Sequence, residues 1–292
     1  MITAESRQLF TSPLLRIEAY DCAGHSHAEE EAASRHEIVF LRRGLFERAD
    51  SGGRTLADAT QALFFNKGQP YRITHPVEGG DRCVIFGLRP AALADLLGTI
   101  DPAAGQSERP FRASARLIDP RLQMWQVHIA QAAHQIGDSN PLMIEESSMR
   151  LISAVLGGSS SRERQSRPRT EQAHAEIVHQ TRLVLGRRYT EKLSLEQIAR
   201  TVHTSPFHLA RIFRRLTGLP IHRYLHRLRL LAALDSAADR FPSLATLALD
   251  SGFASHSHLS SAFRAEFGLS PSQFRLADTT QAIQEMSKIL KA

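Results

Sequence analysis

Cysteine is scarce in this sequence: Cys22 and Cys83 are the only two in 292 residues. Two thiols are too few for a secreted disulfide scaffold, so a cytoplasmic location with both thiols reduced is expected. Long apolar runs are missing as well. Nothing approaches the roughly 18 uninterrupted apolar residues of a membrane-spanning helix, and the N-terminus lacks a positive-then-apolar leader pattern. A phosphate-cradling glycine loop is also absent. Gly79-Gly80 sits among turn formers, and the GGSSS run from Gly157 has no strand and helix around it to make a nucleophilic serine elbow. Secreted disulfide scaffolds, helical membrane proteins, P-loop nucleotide hydrolases and serine hydrolases are thereby disfavoured.

Acidic charge is short in one half only. Residues 162–292 hold 20 Lys and Arg against 11 Asp and Glu, whereas residues 1–161 hold 16 against 19. A basic half joined to a mildly acidic one is the balance expected of a DNA-binding module carried by a partner domain with another task.

What the basic half does contain is a repeat. "SPFHLARIFRRLTGLP" (Ser205–Pro220) and "SHSHLSSAFRAEFGLSP" (Ser255–Pro271) match at Ser205/Ser255, His208/His258, Leu209/Leu259 and Phe213/Phe263. They match again at Arg214/Arg264, Gly218/Gly268 and Leu219/Leu269. In the first copy Leu209, Ile212, Phe213 and Leu216 recur at helical spacing and predict one buried stripe. In the second, Leu259, Ala262, Phe263 and Phe267 do the same. The opposite faces offer Phe207, Arg211 and Arg214 in one copy and Ser257, Ser260, Ser261 and Arg264 in the other, groups able to touch phosphates and base edges. A shorter amphipathic helix precedes each copy, with Ser194 and Ser243 as expected starts. Gly252 is suited to a positive φ in the second turn. Helix, tight turn and helix with a polar outer face is the helix-turn-helix unit, whose second helix enters a major groove. Between the copies, Tyr224, Leu225, Leu228, Leu231 and Ala232 predict one long connecting helix. Pro271 is expected at the first turn of a further helix.

These positions resemble the AraC/XylS family of transcription regulators. The family pattern falls on Ile198-Ala199, Ser205, Leu209, Phe213, Gly218, Arg229-Leu230, Ala248, Gly252-Phe253, Ser255, Phe263, Gly268, Pro271 and Phe274-Arg275, within residues 172–278. The resemblance implies duplex DNA as partner, read in successive major grooves. It places base contacts at Phe207, Ala210 and Arg211 in the first recognition helix and at His256, Ser257, His258, Ser260 and Ser261 in the second. Arg214 and Arg264, nearer the helix ends, are better placed for phosphates. Two departures stand out. His203 occupies a turn position where the family commonly has Gly, and Ser261 replaces a frequent Arg. The first unit, with Arg211, is therefore expected to contribute more base discrimination.

The front half changes period. Short runs rich in Val, Ile, Leu and Phe between residues 36 and 88 are separated by Ser51-Gly52-Gly53, Asn66-Lys67-Gly68 and Gly79-Gly80. They predict a small antiparallel β-barrel or sandwich, and the barrel is the form expected. Two helical segments, around Met124-Trp125 and over residues 141–156, follow. The expected whole is an α+β chain of two domains. It comprises a barrel with two helices (1–157), a polar linker (158–171), an all-α tandem helix-turn-helix domain (172–278) and a C-terminal tail (279–292). The barrel resembles the cupin-like sensor half of AraC-type regulators, which implies a small-molecule effector, a homodimer and, for an activator, RNA polymerase as a partner. No cofactor is assigned, and a metal ion is the alternative to a small-molecule effector as the barrel's ligand. Cys22, His36 and Cys83 form one candidate metal set. His25, His27, a glutamate among Glu29–Glu31, and His75 form another, which would suit a cupin-type metal enzyme tethered to DNA. An architectural DNA binder with a merely dimerising front half is the third alternative.

Overall fold

The computed structural model describes residues 4–24, 29–136, 140–158, 168–239 and 243–289. They fall into two compact units, one drawn from residues 1–159 and 275–292, the other from 160–274.

Among the described residues of the first unit are ten strands: β1 (Ala4–Thr11), β2 (Leu15–Cys22), β3 (Glu30–Ala32), β4 (His36–Gly44), β5 (Phe46–Asp50), β6 (Gly53–Ala57), β7 (Gln61–Phe65), β8 (Pro70–Thr74), β9 (Asp81–Leu88) and β10 (Ala115–Leu117). They form two antiparallel sheets, in the orders β1-β2-β9-β4-β7-β10 and β3-β8-β5-β6. Val39, Leu41, Leu63, Phe65 and Cys83 of the larger sheet pack against Phe46 and Ala57 of the smaller one. The expected barrel is thus an open sandwich. The smaller sheet's strands run only three to five residues and pair with one another, and among the described residues no ladder joins the two sheets. Arg48 ties the layers together. Its guanidinium is buried, donates to the Phe64 carbonyl, pairs with Asp50 at 2.5 Å and lies 4.1 Å above the Phe65 ring.

The far face of the larger sheet buries Leu15, Ile17, Ile38, Phe40, Val84, Phe86 and Leu88. Helices α1 (Pro90–Ile100), α2 (Pro102–Gly105), α3 (Pro120–Ile136) and α4 (Pro141–Gly157) follow, and α3 packs on β1, β2 and β4. Trp125 and Met124 of α3 are core residues, at 0% and 1% exposure. Three strands, β1, β2 and β3, stand ahead of the strand-like runs that the sequence shows between residues 36 and 88.

The second unit is helical: α5 (Pro168–Arg187), α6 (Leu195–Thr201), α7 (Pro206–Thr217), α8 (Ile221–Ala238), α9 (Leu244–Asp250), α10 (His256–Phe267) and α11 (Pro271–Leu276). Serine starts five of these helices. Ser205 and Ser255 accept from the His208 and His258 amides at 3.2 Å, and Ser243 accepts from Thr246 at 3.1 Å. Ser194 and Ser270 exchange reciprocal bonds with Gln197 and Gln273, which are capping boxes. Both recognition-type helices stop at a left-handed glycine, Gly218 and Gly268. The long connector α8 buries residues on nearly every side, among them Tyr224, Leu228, Leu230, Leu231 and Leu234. It therefore serves as the spine shared by both helix-turn-helix units.

The last segment differs from the expected tail. Residues 279–289 form helix α12 (Thr279–Ile289), which belongs to the first unit and packs on α3 with Ile283 and Met286 buried. The linker expected at 158–171 lies mostly outside the described residues.

Candidate nucleic-acid interface

The buried stripes predicted for the two repeats are present. Leu209, Ile212 and Phe213 hold α7 down, and Leu259, Phe263 and Phe267 hold α10. Leu216 departs from the expectation: at 46% exposure it lies beyond the edge of the stripe. Phe263 packs on Phe267 at 4.5 Å and on Phe274 of α11 at 6.2 Å, so the second unit is closed by an aromatic cluster. Phe213 meets Tyr224 of α8 edge-on at 5.3 Å, and the Tyr224 hydroxyl accepts from Arg182 Nε of α5 at 2.7 Å.

With those faces buried, the opposite faces are left to solvent. Phe207 is 83% exposed, too much for a side chain resting on its neighbour. Arg211 and Arg214 are exposed, and Ala210 is half-buried beside them. These four residues edge a groove whose floor is Leu195, Ile198, Ile221 and Leu225. Arg211 donates to His208 Nδ1 at 3.3 Å, and Arg215 donates to His174 Nδ1 of α5 at 2.7 Å. On α10, His256, Ser257, His258, Ser261 and Arg264 are exposed and Ser260 is half-buried. The His258 ring stands 5.3 Å from Phe253, edge-on, and so has a fixed side. All ten predicted DNA-binding positions thus lie away from the two buried stripes.

The turns are built alike. The Thr204 amide donates to the Ala199 carbonyl at 3.0 Å, as Phe253 donates to Ala248 at 2.8 Å. The residue before each donor is left-handed: His203 at φ 53° and Gly252 at φ 77°. His203 is exposed, and histidine is one of the side chains enriched at positive φ. Gly252 has no such freedom. A Cβ there would lie 2.7 Å from the Thr190 Cα, 3.0 Å from the Tyr189 carbonyl oxygen and 3.0 Å from Arg229 Nε. That arginine donates from Nε to the Tyr189 carbonyl at 2.6 Å and from Nη2 to the Glu191 carbonyl at 2.7 Å. It draws the segment after α5 onto α8 against the second turn, and burial pushes its pKa down. Sequence spacing alone gave Arg229 no such role; its backbone partners stand some forty positions upstream.

In the first unit, the candidate metal set is divided. Cys22 and Cys83 face the sandwich interior, and β2 pairs Cys22 with Asp81 and Tyr20 with Cys83. His36 stands toward the other end of the sheet, opposite Leu88, where its Nδ1 accepts from the Lys67 amide at 3.2 Å and its ring meets Phe111. It joins neither cysteine, because β4 reaches Cys83 at Leu41, five residues further on. Of the alternative set, His25 and His27 lie outside the described residues, Glu30 pairs with Arg72 on the surface, and His75 contacts Asp81. A cavity of 120 Å³ between the sheets is lined by Tyr20, Glu31, Glu37, Phe46, Tyr71 and His75, among others. Burial, reinforced by Glu18, raises the Glu37 carboxyl to about 7.

No helix among the described residues is long and apolar enough to cross a membrane. Residues 198–277 match a family model described as a helix-turn-helix domain. The HTH-type transcriptional activator AarP of Providencia stuartii is 32% identical over 108 residues, which are 37% of this chain and 80% of that protein. The HTH-type transcriptional activator RhaS of Escherichia fergusonii is 39% identical over 87 residues, 30% of this chain and 31% of RhaS. Against RhaS, then, the match spans under a third of the relative's length. A solved transcriptional regulator from Chromobacterium violaceum, with an AraC-type DNA-binding domain, is 27% identical over 36% of this chain and 94% of its own, at a TM-score of 0.34. With its paired helix-turn-helix units and AarP matched along most of its length, this chain belongs to the AraC family of DNA-binding transcription regulators.

Proposed function

We propose that the protein is a cytoplasmic, sequence-specific regulator that reads duplex DNA with α7 and α10 in successive major grooves. The observation that carries this is the pair of capped helices on one spine, each with its apolar stripe buried, exposing Phe207, Arg211 and Arg214 on α7 and His256, Ser257, His258, Ser261 and Arg264 on α10. Phe207, Ala210 and Arg211 contact bases from α7, with Phe207 against a thymine methyl and Arg211 bidentate to guanine. His256, Ser257, His258, Ser260 and Ser261 contact base edges from α10, and Arg214 and Arg264 contact phosphates. The names of AarP and RhaS, both activators, support an activating role through RNA polymerase and favour regulation over the rival enzyme. The domain assignment follows: residues 1–157 form a cupin-like sensing and dimerising domain, 158–171 a linker, and 172–278 the DNA-binding domain. The interior cavity, lined by carboxylates and aromatics, supports an effector of very small size.

Selection of bound sequences from random duplexes with the full chain tests the proposal. The expected result is a site with two half-sites about one helical turn apart. Binding with no sequence preference would leave an architectural binder instead.

A further inference from the structure

The sandwich interior holds a donor cluster that DNA reading does not use. The Cys22 thiol, a His75 ring nitrogen and an Asp81 carboxylate oxygen all lie within 4.8 Å of one another. The His75 and Asp81 side chains are each only 3% exposed, and Cys22 is 5% exposed. His75 Nε2 stands 2.5 Å from Asp81 Oδ1, and the Cys83 thiol donates to Asp81 Oδ2 at 2.9 Å. The Gly24 amide donates to Cys22 Sγ at 3.4 Å.

The strand pairing explains why these groups converge. Cys22 and Asp81 are directly opposed on β2 and β9, so their side chains share the inner face. Cys83, two residues along β9, shares it too. His75 follows β8 of the other sheet and closes the cluster from across the sandwich. The surrounding backbone leaves no slack. A Cβ on Gly80 would fall 1.7 Å from the Cys22 carbonyl oxygen, and one on Gly44 would fall 2.1 Å from the Gly80 carbonyl oxygen. The segments carrying Cys22 and Asp81 are thereby locked side by side.

We propose that Cys22, His75 and Asp81 bind a divalent transition-metal ion of the zinc class. One sulfur, one imidazole nitrogen and one carboxylate oxygen are a borderline-soft donor set that suits zinc and disfavours magnesium or calcium. The charges balance as well. A dipositive ion displaces the proton of the Cys22 thiol, so thiolate and carboxylate together neutralise it and one proton leaves. Tetrahedral coordination separates ligand atoms by roughly 3.3–3.8 Å, so the His75–Asp81 contact opens by about an ångström when the ion enters. Three protein ligands leave a fourth position. His75 and Asp81 also line the interior cavity, so a water or a small ligand held there can reach that position. Cys83, bonded to Asp81, orients the carboxylate from outside the coordination sphere.

The test is a cobalt(II) titration of the chelator-treated full chain, followed by absorption. It requires no DNA, so its outcome is independent of the DNA-binding proposal. The expected result is one equivalent bound, with a thiolate-to-cobalt charge-transfer band and intense tetrahedral d–d bands, both bleached by zinc. Cys22→Ser, His75→Ala and Asp81→Asn should each weaken binding by at least about tenfold. His36→Ala should bind as the parent does. If a variant does not fold by circular dichroism, the parent titration still decides. No charge-transfer band at one equivalent overturns the proposal, as do bands that persist unchanged in folded Cys22→Ser and His75→Ala.

Discussion

The two helix-turn-helix units are built to one plan yet differ in what their turns must tolerate. The first unit places His203 at a left-handed position and the second places Gly252 there. His203 is exposed, so its side chain has room, and only the backbone preference is violated. Gly252 is pressed against Thr190, Tyr189 and Arg229. Glycine at this turn is therefore demanded by close approach, and positive φ alone does not demand it. The exposed faces differ as well. α7 exposes Phe207 and Arg211, whereas α10 exposes histidines and serines, whose hydroxyls pair with several base edges alike.

The largest effect is expected where the second turn is crowded. Gly252→Ala forces a left-handed alanine and a backbone clash together, costing about 2–5 kcal/mol. Thermal melting should show it, and Arg229→Ala should loosen the same contact. Next comes the reading face of the first unit. Arg211→Ala should weaken specific binding by roughly 1–3 kcal/mol while leaving non-specific binding nearly unchanged, as anisotropy on selected and random duplexes will read. Equal loss on both duplexes would make Arg211 a phosphate contact. The first turn should respond in the opposite direction from the second: His203→Gly relieves a left-handed side chain and raises stability by up to about 1 kcal/mol. A loss of stability there would show that the histidine makes a contact worth more than its strain. Smallest are the helix-end arginines. Arg214→Ala or Arg264→Ala should each reduce the slope of log K against log salt by about 0.9, with little change in sequence preference.

Much of the second domain was legible in the sequence because its local signals agree. Serine caps, glycine stops and a 3.6-residue apolar period occur twice at almost one offset, and each specifies structure within a dozen residues. Leu216 was misplaced because it sits at the end of its helix, where periodicity no longer fixes burial. Arg229 carried a motif but no visible role, since its partners are carbonyls near residue 190. The first domain was less legible. β1 is an edge strand with Phe10 its one buried residue, so it reads as a polar segment. Openness of the sandwich depends on which strands pair, a long-range property that short apolar runs do not encode. Cys22 and Cys83 were singled out together, but the companions chosen for them were not those the fold supplies. His36 lies five pairing positions from Cys83, whereas Asp81, hidden in a turn-like Gly-Gly-Asp, is directly across from Cys22.

The proposal's sharpest form is that the two units divide their labour unequally, with α7 supplying most of the base discrimination. A base-pair substitution scan of the selected site with the full chain, at one fixed salt concentration, tests it most directly. The account predicts that the steepest losses, roughly 1–3 kcal/mol per base pair, cluster in the half-site that Arg211→Ala desensitises. Equal losses in both half-sites, or steeper losses in the half read by α10, would contradict it.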